Sequence, residues 1–173
     1  MTICKQQILS RLPDFRDQWI TVKGQQQVPD IIDSILQSHR DFGKYYDSIG
    51  FLFRGNTISD TCENLFHFCR DNIRYYEESE DSQSTAIPTG ILVRGYGDCK
   101  HYASFVAGCL DAISRAEGTP IDFEYCFASY KKDQQIPYHV FVICKDDDGS
   151  EIWIDPTPGA AEKNPVWWVR VKP

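Results

Sequence analysis

One change of rhythm along the chain predicts an α+β fold. Up to about residue 117 apolar side chains recur at three- and four-residue steps, the spacing of one helix face. After Pro120 the period falls to two, the spacing of a half-buried strand. Length and composition agree: 173 residues, 42% hydrophobic and 13% aromatic, give one packed domain and too little chain for two ordinary ones. Helices first and an antiparallel sheet after are the α+β pattern, in a single domain over residues 1–173.

Residues 1–58 read as a helical N-terminal region. Ile3, Ile8, Leu9 and Leu12 predict a short helix ended by Pro13. Gln25-Gln26-Gln27-Val28 is a polar connector, and Pro29 suits the first position of a helix running to about Tyr46 through Ile32, Ile35 and Leu36. His39 falls in a polar stretch and is expected to be solvated. Ser59 is the expected N-cap of the next helix, with Leu65, Phe66, Phe68, Cys69 and Ile73 as its apolar side. Residues 77–84, acidic and rich in serine, are expected to form an exposed loop, a candidate flap at the rim of a site.

Pro88 to Val93 leads into two glycines and a helix that starts near Cys99 and stops at Gly118 and Pro120. Alternation over 121–127 gives one strand, Tyr138 to Cys144 a second and Glu151 to Asp155 a third. Asp146-Asp147-Asp148-Gly149 turns the chain between the last two. Val166, Trp167, Trp168, Val169 and Val171 give a fourth. No internal repeat or low-complexity segment interrupts the order.

Charge and cysteine usage narrow the function classes. A formal charge of −7 and a pI near 5.0 argue against binding nucleic acid or an anionic membrane. No apolar run approaches the ~20 residues of a membrane span, and Met1 to Gln7 lacks the basic-then-apolar order of a signal peptide. A cytoplasmic location is expected; a virion would fit a viral source. The seven cysteines are odd in number and include no Cys-x-x-Cys pair, so neither a disulfide framework nor a zinc site is expected. Cys62 and Cys69, with His67 between them, read as a helix face. The aspartate-rich turn lacks the spacing and distal glutamate of a calcium loop. No metal or cofactor is expected.

The chemistry concentrates at Gly95-Tyr96-Gly97-Asp98-Cys99-Lys100-His101. Asp98 is a good N-cap, which puts Cys99 in the first helical turn beside unsatisfied N–H groups and the positive end of the helix dipole. Both stabilise negative charge on the sulfur, the form that acts as a nucleophile. Ala103, Val106, Ala107, Leu110 and Ile113 form the apolar face of that helix. The two glycines are expected to let a substrate backbone approach the thiol. His101, about 200° round the helix from Cys99, points elsewhere. A base is available on the sheet. His139 and Asp155 are equidistant from residue 147, so a hairpin folded about that residue opposes them directly on one face, at a Cβ separation of about 4.5–5.5 Å. The carboxylate would accept from one ring nitrogen and leave the other for a thiol.

Together these segments resemble the transglutaminase-like superfamily, whose core is papain-like. Gly97-Asp98-Cys99-Lys100 with Ala103 is similar to its cysteine motif, His139-Val140-Phe141 to its histidine strand, and Trp153-Ile154-Asp155-Pro156-Thr157 to its aspartate motif. The likeness covers roughly residues 60–158, a core that with the fourth strand takes in 59–173; the N-terminal 58 or so residues lie outside it. It implies a nucleophile helix packed on an antiparallel sheet, with Cys99 as nucleophile, His139 as general acid and base, and Asp155 as its orienter. Where the family often has tryptophan two residues after the histidine, this chain has Phe141. The Cys99 backbone N–H can serve as one oxyanion donor; the second has no match, with Asn72, Tyr75 and Gln83 as alternatives.

The implied activity is thiol acyl transfer on amide or peptide bonds: a cysteine peptidase or amidase acting on a peptide or protein, rather than a large calcium-dependent cross-linker. Two alternatives stand beside it. One is a protein-glutamine transglutaminase. The other is a non-catalytic binding or structural module with an assembly partner, for instance in a phage particle, against which the intact triad argues.

Overall fold

The computed structural model describes residues 3–12, 19–22, 28–79, 83–132, 136–160 and 164–173. In chain order its elements are α1 (Lys5–Leu9), β1 (Trp19–Val22), α2 (Val28–Phe42), two 3₁₀ turns (Gly43–Tyr46 and Gly50–Phe53), α3 (Ile58–Asn72), β2 (Arg74–Tyr75), β3 (Gln83–Ala86), α4 (Pro88–Arg94), β4 (Tyr96–Gly97), α5 (Cys99–Glu117), β5 (Phe123–Ser129), β6 (His139–Lys145), β7 (Glu151–Ile154) and β8 (Trp167–Val171). The α+β order of the sequence is the order of the fold. The stop at Pro13 and the connector Gln25–Gln27 lie outside the described residues.

Helix α5 is the spine. Phe105, Val106, Cys109 and Leu110 are fully buried on it. They join one core with Tyr125, Phe127, Val140, Val142 and Ile154 of the sheet. The N-terminal region enters the same core through Ile8, Ile35, Tyr46, Ile49 and Phe53. Each such side chain contributes about 1.5–3 kcal/mol on burial. An aromatic cluster ties the layers together: Phe105 stacks on Phe68 at 5.5 Å and meets Phe53 edge-on at 5.8 Å.

The sheet is antiparallel, ordered β7-β6-β5-β8. Its face away from α5 carries a smaller buried cluster of Cys126, Ala128, Phe141 and Ile143. Arg170 on one edge strand reaches Glu151 on the other, donating to its two oxygens at 2.5 and 3.1 Å. The ion pair straps that face from edge to edge.

Several sequence expectations shift. The hairpin between β6 and β7 pairs Lys145 with Glu151 and Val142 with Ile154, so it is centred on residue 148. Gly149 takes the left-handed conformation (φ 84°) after a turn closed by its N–H to the Asp146 carbonyl at 2.9 Å, and this bulge moves each partner two places along. Extending that register opposes Asp155 to Phe141. An even slip keeps His139 and Asp155 on one face, as diagonal neighbours.

The cap of α3 is Thr57, in a capping box with Asp60, and not Ser59. Gln83 to Ala86 is a strand that pairs with β1, and Ser84 is buried, so the exposed loop stops short of them. α2 ends at Phe42 and the chain continues to Tyr46 as a 3₁₀ turn. His39 is not solvated: its ring lies 3.0 Å (Nδ1) from the Tyr125 hydroxyl and 3.5 Å (Nε2) from Asp111, with 7% of the side chain exposed. It clamps α2 to β5 and α5. No helix among the described residues is long and apolar enough to cross a membrane.

Candidate active site

Cys99 is the first residue of α5, half-buried. Asp98 caps the helix, its side chain accepting from the Lys100 N–H, and His101 completes a capping box. The two glycines before it are structural. Gly95 is the left-handed C-cap of α4, and a Cβ on Gly97 would stand 2.7 Å from the His101 Cβ. That close approach by His101 requires glycine here.

His139 opens β6. Its Nε2 lies 2.6 Å from Asp155 Oδ2, while Oδ1 of the same carboxylate accepts from the Thr157 N–H at 3.2 Å. Nδ1 is thereby left free of Asp155, and the Cys99 thiol lines the same cavity, close enough to act electrostatically on this imidazole. Burial disfavours the imidazolium, and Asp155 and Cys99 more than reverse that, raising the His139 pKa to about 9. Tyr130 and Phe141 shield the ring at centroid distances of 5.7 and 5.9 Å. The three residues singled out in the sequence thus converge through one imidazole.

Beneath the sulfur lies a charge cluster that the sequence did not disclose. Lys100 is 4% exposed; its Nζ contacts Asp98 and lies 3.0 Å from Glu78 Oε2. Glu78 also accepts from the Ser84 N–H at 2.6 Å. His101 Nδ1 stands 2.8 Å from Asp98 Oδ1. Burial would raise the Asp98 pKa, but His101 and the Lys100 ammonium hold it at about 2. Burial likewise opposes the Lys100 charge, and Asp98 and Glu78 outweigh it, raising its pKa. The one trace in the sequence is position: Lys100 follows Cys99 in the first turn of α5. Nothing local marks Glu78 as its partner, 22 residues earlier in the chain.

A cavity of about 430 Å³ opens in front of Cys99 and His139. Its apolar wall includes Ile31, Ile32 and Ile35 of α2, and its polar wall Tyr75, Glu77 and Glu78. Of the alternatives for a second oxyanion donor, Tyr75 and Gln83 line the cavity and Asn72 does not. Cys62 and Cys69 are buried in the core, and His67 is exposed, 3.5 Å from Glu63. Among the described residues no group of three His, Cys, Asp or Glu side chains could hold a metal ion.

The chain matches no family model and no curated protein. Its fold is similar to the solved structure of a "putative protease" from Parabacteroides distasonis ATCC 8503, at a TM-score of 0.55 and 9% identity. The match covers 76% of this chain and 26% of that one, so this chain spans about a quarter of that protein's length. A "putative cysteine protease" from Cytophaga hutchinsonii aligns with a TM-score of 0.46 and 13% identity, over 83% of this chain and 44% of that one. At 9% identity, the likeness to the Parabacteroides protein establishes a shared fold.

Proposed function

We propose that the protein is a thiol acyl-transfer enzyme of the transglutaminase-like, papain-like kind, acting as a cysteine peptidase or amidase. The observation that carries the reading is the His139 ring, 2.6 Å from Asp155 and lining one cavity with Cys99. The Cys99 thiolate attacks the amide carbonyl carbon, and the C–N bond breaks as the His139 imidazolium gives its proton to the leaving amine. A thioester remains on Cys99. His139, now neutral, takes a proton from water; the hydroxyl adds to the thioester carbonyl, the C–S bond breaks, and acid is released. Asp155 holds the ring in the tautomer this requires. The isoleucine wall supports a substrate with a bulky apolar side chain beside the reacting carbonyl.

The test is twofold. Iodoacetamide labelling near neutral pH should modify the half-buried Cys99 faster than Cys4, a stringent control because Cys4 is the more exposed; equal rates would sink the enzyme reading. A peptide library incubated with the protein and with its Cys99→Ala variant, with and without a primary amine, should give Cys99-dependent hydrolysis. Amide product in preference to acid would replace peptidase with transglutaminase.

A further inference from the structure

We propose that the Tyr75 hydroxyl is the second donor to the oxyanion formed when Cys99 attacks a carbonyl; this rests on the acyl-transfer reading. Attack turns a planar carbonyl into a tetrahedral alkoxide, which two fixed donors stabilise more than they stabilise the ground state. At the start of α5 the Lys100 N–H is taken by Asp98 Oδ1 at 3.2 Å and the His101 N–H by the Asp98 carbonyl at 3.1 Å. The Cys99 N–H, next to the sulfur, is the amide left for an oxyanion.

Three side chains compete for the second place, and their existing bonds separate them. The Asn72 amide donates to the Phe68 carbonyl at 3.0 Å, away from the cavity. The Gln83 amide donates to the Glu78 and Ser79 carbonyls at 3.3 and 2.9 Å, which uses both of its protons. Tyr75 lines the cavity with Cys99 and His139, and its hydroxyl bonds no other described residue.

Its position is fixed from two sides. In the parallel ladder of β2 and β4, Tyr75 pairs with Gly97, two residues before Cys99. Arg74 N–H donates to the Gly95 carbonyl and Tyr76 N–H to the Gly97 carbonyl, each at 2.9 Å. The Tyr75 ring lies against Tyr102 at 6.1 Å, and Tyr102 is itself anchored by its hydroxyl to the Ile73 carbonyl at 2.7 Å. Burial, then the negative charges of Cys99, Glu77, Asp98 and Asp155, raise the Tyr75 pKa. The hydroxyl therefore keeps its proton for donation, within electrostatic reach of the sulfur.

Tyr75→Phe removes the donor and leaves the ring. With N-acetyl-leucine p-nitrophenyl ester as probe, release of p-nitrophenol reports acylation of Cys99. It should slow about 100-fold in the variant, the typical loss of one oxyanion donor. Iodoacetamide alkylation forms no oxyanion and should proceed at the unsubstituted rate, which also reports an intact fold and thiol. Acylation at the unsubstituted rate would overturn the inference, and so would a parallel fall in both rates, which would mean that Tyr75 acts on the thiol. A wild-type chain whose Cys99 is alkylated but never acylated would overturn the acyl-transfer reading, and this inference with it.

Discussion

His139 Nε2 and Asp155 Oδ2 lie 2.6 Å apart although the two residues stand diagonally across β6 and β7. The carboxylate reaches the ring because its other oxygen is pinned by the Thr157 N–H, so the turn after β7 aims the side chain. Asp155→Asn keeps this shape and removes the charge. The His139 pKa should then fall from about 9 toward its ordinary value of about 6.5. An NMR titration of the His139 Cε1–H signal reads this directly; an unchanged midpoint would mean that Asp155 does not set the ring's charge.

The same shift makes stability depend on pH. A folded-state pKa raised above the unfolded value stabilises the fold fully below about pH 6.5, and the contribution is lost as pH rises through about 9. Its size is on the order of 3 kcal/mol. Urea unfolding at pH 6 and pH 9.5 should show that loss in the wild type, and His139→Ala should flatten it. Asp98 works in the opposite direction. Held at about 2 against 3.8, its contribution is present above pH 3.8 and lost as pH falls through about 2.

Lys100→Met tests the buried cluster. The substitution preserves the stem and leaves the buried Asp98 and the half-buried Glu78 without their shared cation. Removing one partner of such a cluster costs about 3–5 kcal/mol, which corresponds to a fall in melting temperature of roughly 10 °C for a chain of this size. A melt within a degree or two of the wild type would show that the cluster is solvated in solution.

The isoleucine wall yields a prediction about selectivity that belongs to the proposed function. Ile32→Ser should raise KM for substrates with a leucine or phenylalanine side chain about tenfold, the effect of about 1.4 kcal/mol of lost apolar contact. It should leave kcat nearly intact, because Ile32 lies on α2 and not among the reacting groups. Steady-state kinetics on paired leucine and alanine substrates decides the matter; equal losses on both would refute it.

The parts that were legible in the sequence are those where local pattern carries the information. The switch of period after Pro120 foretold the sheet, and an acidic cap before a cysteine foretold its place at the head of α5. The pairing of His139 with Asp155 was readable as a shared face, since parity survives an even slip, but its register depended on a glycine bulge whose backbone angle the turn sequence alone does not fix. Strand β3, Gln-Ser-Thr-Ala, has no apolar alternation and is buried by what packs round it. His39 looked solvated because its neighbours in sequence are polar; its partners, Tyr125 and Asp111, come from elements far along the chain. The spacing of Ile32 and Ile35 marked a helix face without saying that the face, with Ile31, looks into the cavity.

The tie between Glu78 and Lys100 has a consequence for access. On one rim of the cavity Glu78 is bound to Ser84 and, through Lys100, to the turn that carries Cys99. Parting that rim separates Glu78 from the buried Lys100 ammonium and from the Ser84 N–H. The opposite rim holds Ile136 and Tyr138, which are 56% and 47% exposed; there the Tyr138 hydroxyl accepts a neutral bond from the Tyr130 N–H at 2.8 Å, a net contribution of about 1 kcal/mol. Of the two rims, the one held by Glu78 and Lys100 is the more firmly tied to the turn that carries Cys99.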